Sequence, residues 1–367
     1  MKIQCLNKNL KSAVSVAERN TSKNQTLPIL NSIFIGAEKD TIKIRATNLE
    51  TAVEISVSGK IHNAGSVVVP AKTINSFLNN IPEEQIILQV QKNNLFIKTD
   101  SMETIIRGYP PEDFPIFPKV DIAESISMSS PELRFSLASV VTAASISDIK
   151  PELASVCFNI FKNSVKIAAT DSFRLAEKNI VSKETRLEKM TSFLVPQRSV
   201  QEMLRLLEND ENVKLGANKN QIIILGGDYK FISRLTDGKF PDYEQIIPKS
   251  FKTIAVARKN DVLSNIKLAS VFAGKLNDIT LFFSPSKKAI LMSTAHSEVG
   301  EHSASVSASV QGEEVTAKFN WRYLADGIPQ INSEYIEFNL NGDQSPMLIK
   351  GKGDNSYVYL VMPMRGI

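Results

Sequence analysis

Apolar positions recur along this chain in two alternating rhythms. Leu10, Ala13, Val14 and Ala17 follow the i, i+3, i+4, i+7 spacing of one face of an amphipathic helix. The spacing returns in Ile74, Phe77, Leu78 and Ile81, in Leu137, Val140, Val141 and Ala144, and in Val200, Met203, Leu204 and Leu207. A close variant is Val262, Leu263, Ile266 and Ala269, and a shorter stripe is Tyr323, Leu324 and Ile328. Between the helices the period drops to two, most clearly in TIKIRA and AVEISVS. Strands are predicted near residues 31–37, 41–46, 51–58 and 66–69, then 86–91, 95–99 and 103–107. Hairpin-linked strands with few helices predict antiparallel sheet and an α+β class. Each helical stripe is read first as core.

The rhythm itself repeats. KIRATNLETAVEISV at 43–57 matches KIAATDSFRLAEKNI at 166–180, and LMSTAHSEVGEHSASVS at 291–307 is a weaker third copy. Thr47, Thr170 and Thr294 mark corresponding turns, 123 and then 124 residues apart. VVVPAKTINSFLNNI at 67–81 likewise matches FLVPQRSVQEMLRLL at 193–207, and EDFPIF at 112–117 matches GKFPDY at 238–243. Three tandem domains of one fold follow, over 1–125, 126–249 and 250–367, with linkers near 118–126 and 248–252. Each domain is itself a near-duplicate, a helix and strands followed by a helix and strands.

Composition narrows the function classes. With 43% hydrophobic and 22% charged residues the 367-residue chain reads as a soluble globular protein. The first residues, MKIQCLNKNLKS, lack the apolar core of a signal peptide, and no apolar run approaches the roughly 20 residues of a membrane span. Cys5 and Cys157, the only cysteines, sit in apolar strand-like segments, which favours a reducing cytoplasm. The formal charge of +4 permits nucleic-acid contact without demonstrating it. Placement says more: Lys8, Lys11, Arg19, Lys72, Arg198, Arg205, Lys259 and Lys267 lie off the apolar stripes. Similar helices in one repeat array would turn such faces to a common side, where they could meet phosphates without reading bases.

No catalytic constellation emerges. His62, His296 and His302 share no ligand spacing with one another or with cysteine, so neither a metal nor a cofactor is predicted. Gly274-Lys275 has no glycine five residues before Gly274, which excludes a phosphate-binding loop. GKGD at 351–354 reads as a turn between strands, and no histidine lies near Asp171-Ser172 in sequence.

TLPIL at 26–30, ATNLE at 46–50, ATDSFRLA at 169–176, LVPQRSVQEMLRLL at 194–207, DGKFPDYEQIIP at 237–248 and VMPMR at 361–365 resemble the bacterial sliding clamps, the β subunits of DNA polymerase III holoenzyme. The match is collinear over the whole chain. The resemblance implies a non-catalytic processivity factor, three clamp domains per chain, and a homodimer closed head to tail as a ring, with helices lining the hole. The implied partners are duplex DNA, the replicative polymerase, the clamp loader, and other polymerases and repair or replication-control proteins. These would dock peptides with a Gln and a Leu/Phe-rich tail in a hydrophobic cleft between domains 2 and 3. By position, the cleft would use Leu153, Thr170, Phe173, Arg174, Leu175, Pro241, Ile246, Tyr323, Met347, Val361, Met362, Pro363, Met364 and Arg365. Flexible methionines suit a surface that accepts several partners. DNA contacts would fall to Lys11, Lys23, Lys150 and Arg198. The chain departs from the family pattern at Phe173, where histidine is common, at Gln245, where arginine is found, and in its positive net charge. Two other readings remain: a nucleic-acid-binding scaffold of similar fold that does not close, and an enzyme of unknown type.

Overall fold

The computed structural model describes residues 1–22, 27–38, 40–118, 125–181, 191–208 and 211–364. In the first third of the chain it has β1 (Lys2–Leu6), α1 (Asn7–Arg19), β2 (Ser32–Glu38), β3 (Thr41–Thr47), β4 (Thr51–Val57), β5 (Gly59–Asn63), β6 (Gly65–Pro70), α2 (Ala71–Asn80), β7 (Gln85–Gln91), β8 (Asn94–Lys98) and β9 (Glu103–Arg107). The second third has β10 (Ser125–Ser129), α3 (Ser130–Val141), β11 (Ser155–Phe161), β12 (Ser164–Thr170), β13 (Arg174–Val181), β14 (Thr191–Pro196), α4 (Gln197–Leu206), β15 (Asn212–Ala217), β16 (Gln221–Leu225) and β17 (Tyr229–Arg234). The last third has β18 (Thr253–Arg258), α5 (Lys259–Ser270), β19 (Asp278–Ser284), β20 (Ala289–His296), β21 (Gly300–Gly312), β22 (Val315–Asn320), α6 (Trp321–Gly327), β23 (Tyr335–Leu340), β24 (Met347–Gly351) and β25 (Asp354–Val361).

The predicted stripes are the buried helix faces. Leu10, Ala13, Val14 and Ala17 of α1 are all buried, as are Val200 and Met203 of α4 and Val262 and Ile266 of α5. Burying a Leu, Val, Ile or Met side chain contributes about 1.5–3 kcal/mol. The strands alternate in burial as their sequences do, TIKIRAT of β3 being a clear case. In the first third, β5 has no counterpart in the sequence reading. β5, GKIHN, is exposed along nearly its whole length, so it carries no alternation to read.

Sheet order makes the repeat physical. A return strand and a three-strand meander run β6-β2-β3-β4, β14-β11-β12-β13 and β22-β19-β20-β21. A strand leading into a helix heads a second meander, β1-β7-β8-β9, β10-β15-β16-β17 and β18-β23-β24-β25. Every pairing is antiparallel, so the chain is α+β in three tandem copies.

The chain folds as two compact units, Met1–Pro131 with Gln201–Leu235, and Glu132–Val200 with Thr236–Ile367. Within the first, β4 pairs with β17 and makes one eight-stranded sheet. Within the second, β13 pairs with β25 and makes a twelve-stranded sheet. Both junctions join the last strand of a first meander to the last strand of the following domain's second meander.

Candidate functional site

The ATNLE and ATDSFR motifs are turns held by their own side chains. Thr170 Oγ1 donates to the Arg174 carbonyl at 2.7 Å and accepts from Ser172 N–H at 3.2 Å. Asp171 Oδ1 accepts from Phe173 N–H at 2.9 Å and from Arg174 N–H at 3.0 Å. A short side-chain oxygen that satisfies amides two and three residues on is what fixes such a turn. Ser172 takes φ +78° as a result, and Phe173 is left 60% exposed.

Strand β25 seats the C-terminal tail beside this turn. Arg174 lies opposite Val361, and Met347 of β24 pairs with Val361 from the other side. Beyond the strand, Met362 N–H donates to the Phe173 carbonyl at 2.8 Å, and Met364 N–H donates to the Lys318 carbonyl at 2.8 Å. The tail is thus pinned between the β12–β13 turn and β22, and Met362 and Phe173 present apolar surface side by side.

Burial separates the predicted cleft residues into a floor and a rim. Leu153, Thr170, Leu175, Met347 and Val361 are buried. Phe173, Pro241, Ile246 and Met362 are exposed, while Arg174, Tyr323, Pro363 and Met364 are half-buried. Leu175 shares a core cluster with Leu360, Phe240 and Tyr243, and Ile247 packs against it. Tyr243 N–H donates to the Pro241 carbonyl at 2.9 Å and Ile246 N–H to the Tyr243 carbonyl at 3.1 Å, so the 241–246 segment is anchored to the same core. Leu153 sits at the foot of the 145–153 loop, its carbonyl accepting from Ser145 N–H. Arg365 falls outside the described residues.

Arg174 is occupied more fully than its place in the motif reveals. Its Nε lies 3.0 Å from Asp171 Oδ2, its Nη1 hydrogen-bonds Asp326 of α6, and its guanidinium stands 4.5 Å over the Tyr323 ring. With a side chain only 9% exposed, it braces the turn against α6. Tyr359 donates to the Tyr323 carbonyl at 2.9 Å, and a Cβ on Gly327 would collide with the Tyr359 ring, so α6 lies hard against β25. Asp326 and Tyr359 belong to this support and escaped sequence reasoning, because their partners are distant in the chain.

A second network flanks the 241–246 segment. Tyr243 donates to Glu177 Oε2 at 2.6 Å, and Lys166 Nζ lies 2.8 Å from Glu244 Oε1 and 3.6 Å from Glu177 Oε2. Burial and the Glu177 charge push the Tyr243 hydroxyl far up, which keeps it a donor. A cavity of about 540 Å³ on this side reaches Cys157, and Pro241 is the one predicted cleft residue lining it. Burial pushes the Cys157 thiol up to about 11, far from a reactive thiolate.

The predicted DNA-contacting residues are placed unequally. Lys11, with Lys8, Arg19 and Arg205, lines a cavity of about 790 Å³ along α1. Lys150 is exposed on the 145–153 loop. Arg198 is exposed but lies 2.9 Å from Asp148 Oδ2, so part of its charge is already met. Lys23 falls outside the described residues. Among the described residues no group of three or more His, Cys, Asp or Glu is placed to hold a metal ion, and no helix is long and apolar enough to cross a membrane.

Three domain models of one family match the chain in order. These are the N-terminal domain of the DNA polymerase III beta subunit over residues 1–118, its central domain over 127–242 and its C-terminal domain over 244–365. A beta sliding clamp of Synechococcus elongatus is 27% identical over 375 residues, covering 100% of this chain and 99% of the relative. One from Staphylococcus aureus is 26% identical over 94% of both chains. Among solved structures, a DNA polymerase sliding clamp from Bacillus subtilis superposes with a TM-score of 0.96 at 24% identity over the whole of both chains. One from Pseudomonas aeruginosa gives 0.94 at 22%, again over both whole chains. These likenesses establish the fold.

Proposed function

The chain belongs to the DNA polymerase III beta-subunit family, a family of non-catalytic processivity subunits, and from that premise we infer that it works as a DNA sliding clamp. Two copies close around duplex DNA and tether the replicative polymerase through the groove beside Phe173 and Met362. The clamp loader and other polymerases, repair and replication-control proteins use the same groove in the cytoplasm. Domain limits of 1–125, 126–249 and 250–367 fit this reading.

One observation carries ring closure. Each junction within the chain joins the ends of two meanders, β4 to β17 and β13 to β25. The same rule leaves over β9 and the Gly300–Ser307 half of β21. Among the described residues, each of these has a partner strand on one side only. Repetition of the rule pairs β9 of one copy with β21 of another, head to tail, and a head-to-tail contact closes when the rotation allows. Apolar exposure agrees: Ile105 of β9 is 55% exposed, and Val271 and Leu276 beyond α5 are 66% and 61% exposed. These edges, which sequence reasoning left unnamed, are where a second copy would cover apolar surface.

Phosphate-directed contacts hold weakly and without sequence preference, so retention must come from closure. Protein loaded on circular DNA should remain at moderate salt and leave after linearisation, and Ile105→Glu should abolish retention on the circle. Equal loss from circle and line would contradict a ring and favour an open nucleic-acid-binding scaffold.

A further inference from the structure

Beside the carboxylates Glu83, Glu84 and Glu208, the α1 cavity brings four cations together, Lys8, Lys11, Arg19 and Arg205, and lies within one compact unit. Two of them are engaged from behind. Glu202 of α4 hydrogen-bonds Arg205 Nη1 through one carboxylate oxygen, and its other oxygen lies 3.9 Å from Arg19 Nε. The Glu202 side chain is only 19% exposed, while the Arg19 and Arg205 side chains are 38% and 51% exposed. The arginines therefore face the cavity and the carboxylate sits beneath them. We propose that Glu202 is a brake on DNA contact, holding Arg19 and Arg205 partly neutralised so that they grip backbone phosphates weakly.

The proposal rests on the sliding-clamp reading and adds how the grip is set. Burial pushes the Glu202 carboxyl above its ordinary value, in spite of the opposing pull of Arg205 and Arg19. Keeping that carboxyl ionised in the folded protein therefore costs stability above its unfolded value. What it does offer is a lower effective positive charge on a face that must slide. Each phosphate neutralised by a free cation adds roughly 0.9 to the salt slope of binding on B-DNA, and with it drag. A clamp held by topology gains nothing from tight phosphate contacts.

The test uses the full chain, with a short linear fluorescent duplex as probe and anisotropy over a salt series. Glu202→Gln should bind more tightly at low salt, by about threefold or more, with a slope steeper by roughly 0.9 for each phosphate gained. Glu202→Ala should do the same, and adding Arg205→Ala to Glu202→Gln should remove the gain. Equal or weaker binding by both charge-free variants, with the wild type binding, would overturn the brake alone and make Glu202 a support that aims the arginines. Failure of wild type and variants alike to bind at low salt would overturn the brake and leave the sliding-clamp reading standing, because that reading fails only if the protein leaves circular and linear DNA equally.

Discussion

The two junctions within the chain share a backbone and differ in what they display. At β4/β17, Arg234 N–H donates to the Glu50 carbonyl at 2.9 Å, and at β13/β25, Met362 N–H donates to the Phe173 carbonyl at 2.8 Å. Two residues further on, Thr236 N–H reaches the Leu194 carbonyl of β14, as Met364 N–H reaches that of Lys318 in β22. The turns match as well: Thr47 and Asn48 hold Leu49 at φ +74°, as Thr170 and Asp171 hold Ser172. The side chains then part company. Glu50 and Arg234 approach as an ion pair at 3.9 Å, where Phe173 and Met362 present apolar surface. Ala52 stands where Leu175 stands, and Ser233 where Val361 stands. A duplicated scaffold thus supplies the shape twice, and a few substitutions make one copy charged and the other apolar.

The largest expected effect comes from making the second junction resemble the first. Phe173→Glu with Met362→Arg keeps the backbone bond and removes two apolar anchors. Each anchor contributes about 1.5–3 kcal/mol on burial, so affinity for a Gln-plus-Leu/Phe peptide should fall by about 100-fold or more, with the dimer intact. Anisotropy titration with light scattering measures both. Undiminished binding would place the peptide elsewhere. Cutting the chain after Val361 should have a similar effect by removing the pinned tail.

Much of this organisation was legible in the sequence, for definite reasons. α1 and α4 announced themselves because a helix against a sheet must carry an apolar stripe, and β3 because one face is buried. The junctions were not legible, since β13 and β25 pair residues as far apart as Arg174 and Val361, with no local signal. Cleft membership came through the family resemblance. Nothing in ATDSFRLA or VMPMR separates Leu175 and Val361, which are buried, from Phe173 and Met362, which are not. Arg198 looked free because Asp148, its partner, is 50 residues away.

A smaller effect should follow from the braces. Arg174→Ala takes the guanidinium partner from Asp171 Oδ2 and from Asp326 and removes the stacking on Tyr323. Breaking a fully buried pair costs about 3–5 kcal/mol, but Asp326 is 43% exposed, so about 1–2 kcal/mol is expected. Thr51, the matching residue of the first junction, hydrogen-bonds Asn20 and Asn48, and Thr51→Val should cost about 0.5–1.5 kcal/mol. Urea denaturation of both variants tests the ranking. Equal costs would mean the two junctions are braced alike.

The smallest effect is on pH dependence. Burial pulls the Glu54 carboxyl up, but Arg45 and Lys43 outweigh it and hold it below the usual carboxylate range. A depressed carboxyl adds stability above its unfolded value and loses it as pH falls through the folded one. Glu54→Gln should therefore lower stability near neutrality and flatten the loss between about pH 5 and pH 3. An unchanged acid limb in denaturation curves would remove Glu54 from the first junction's support.

Amide hydrogen exchange with and without the peptide tests the central contrast most directly, because both junctions are read in one molecule. Docking at the second should slow exchange in Phe173–Leu175 and Val361–Met364, and leave Glu50–Ala52 and Ser233–Thr236 unchanged. Equal protection at both junctions, or protection confined to the first, would contradict the account.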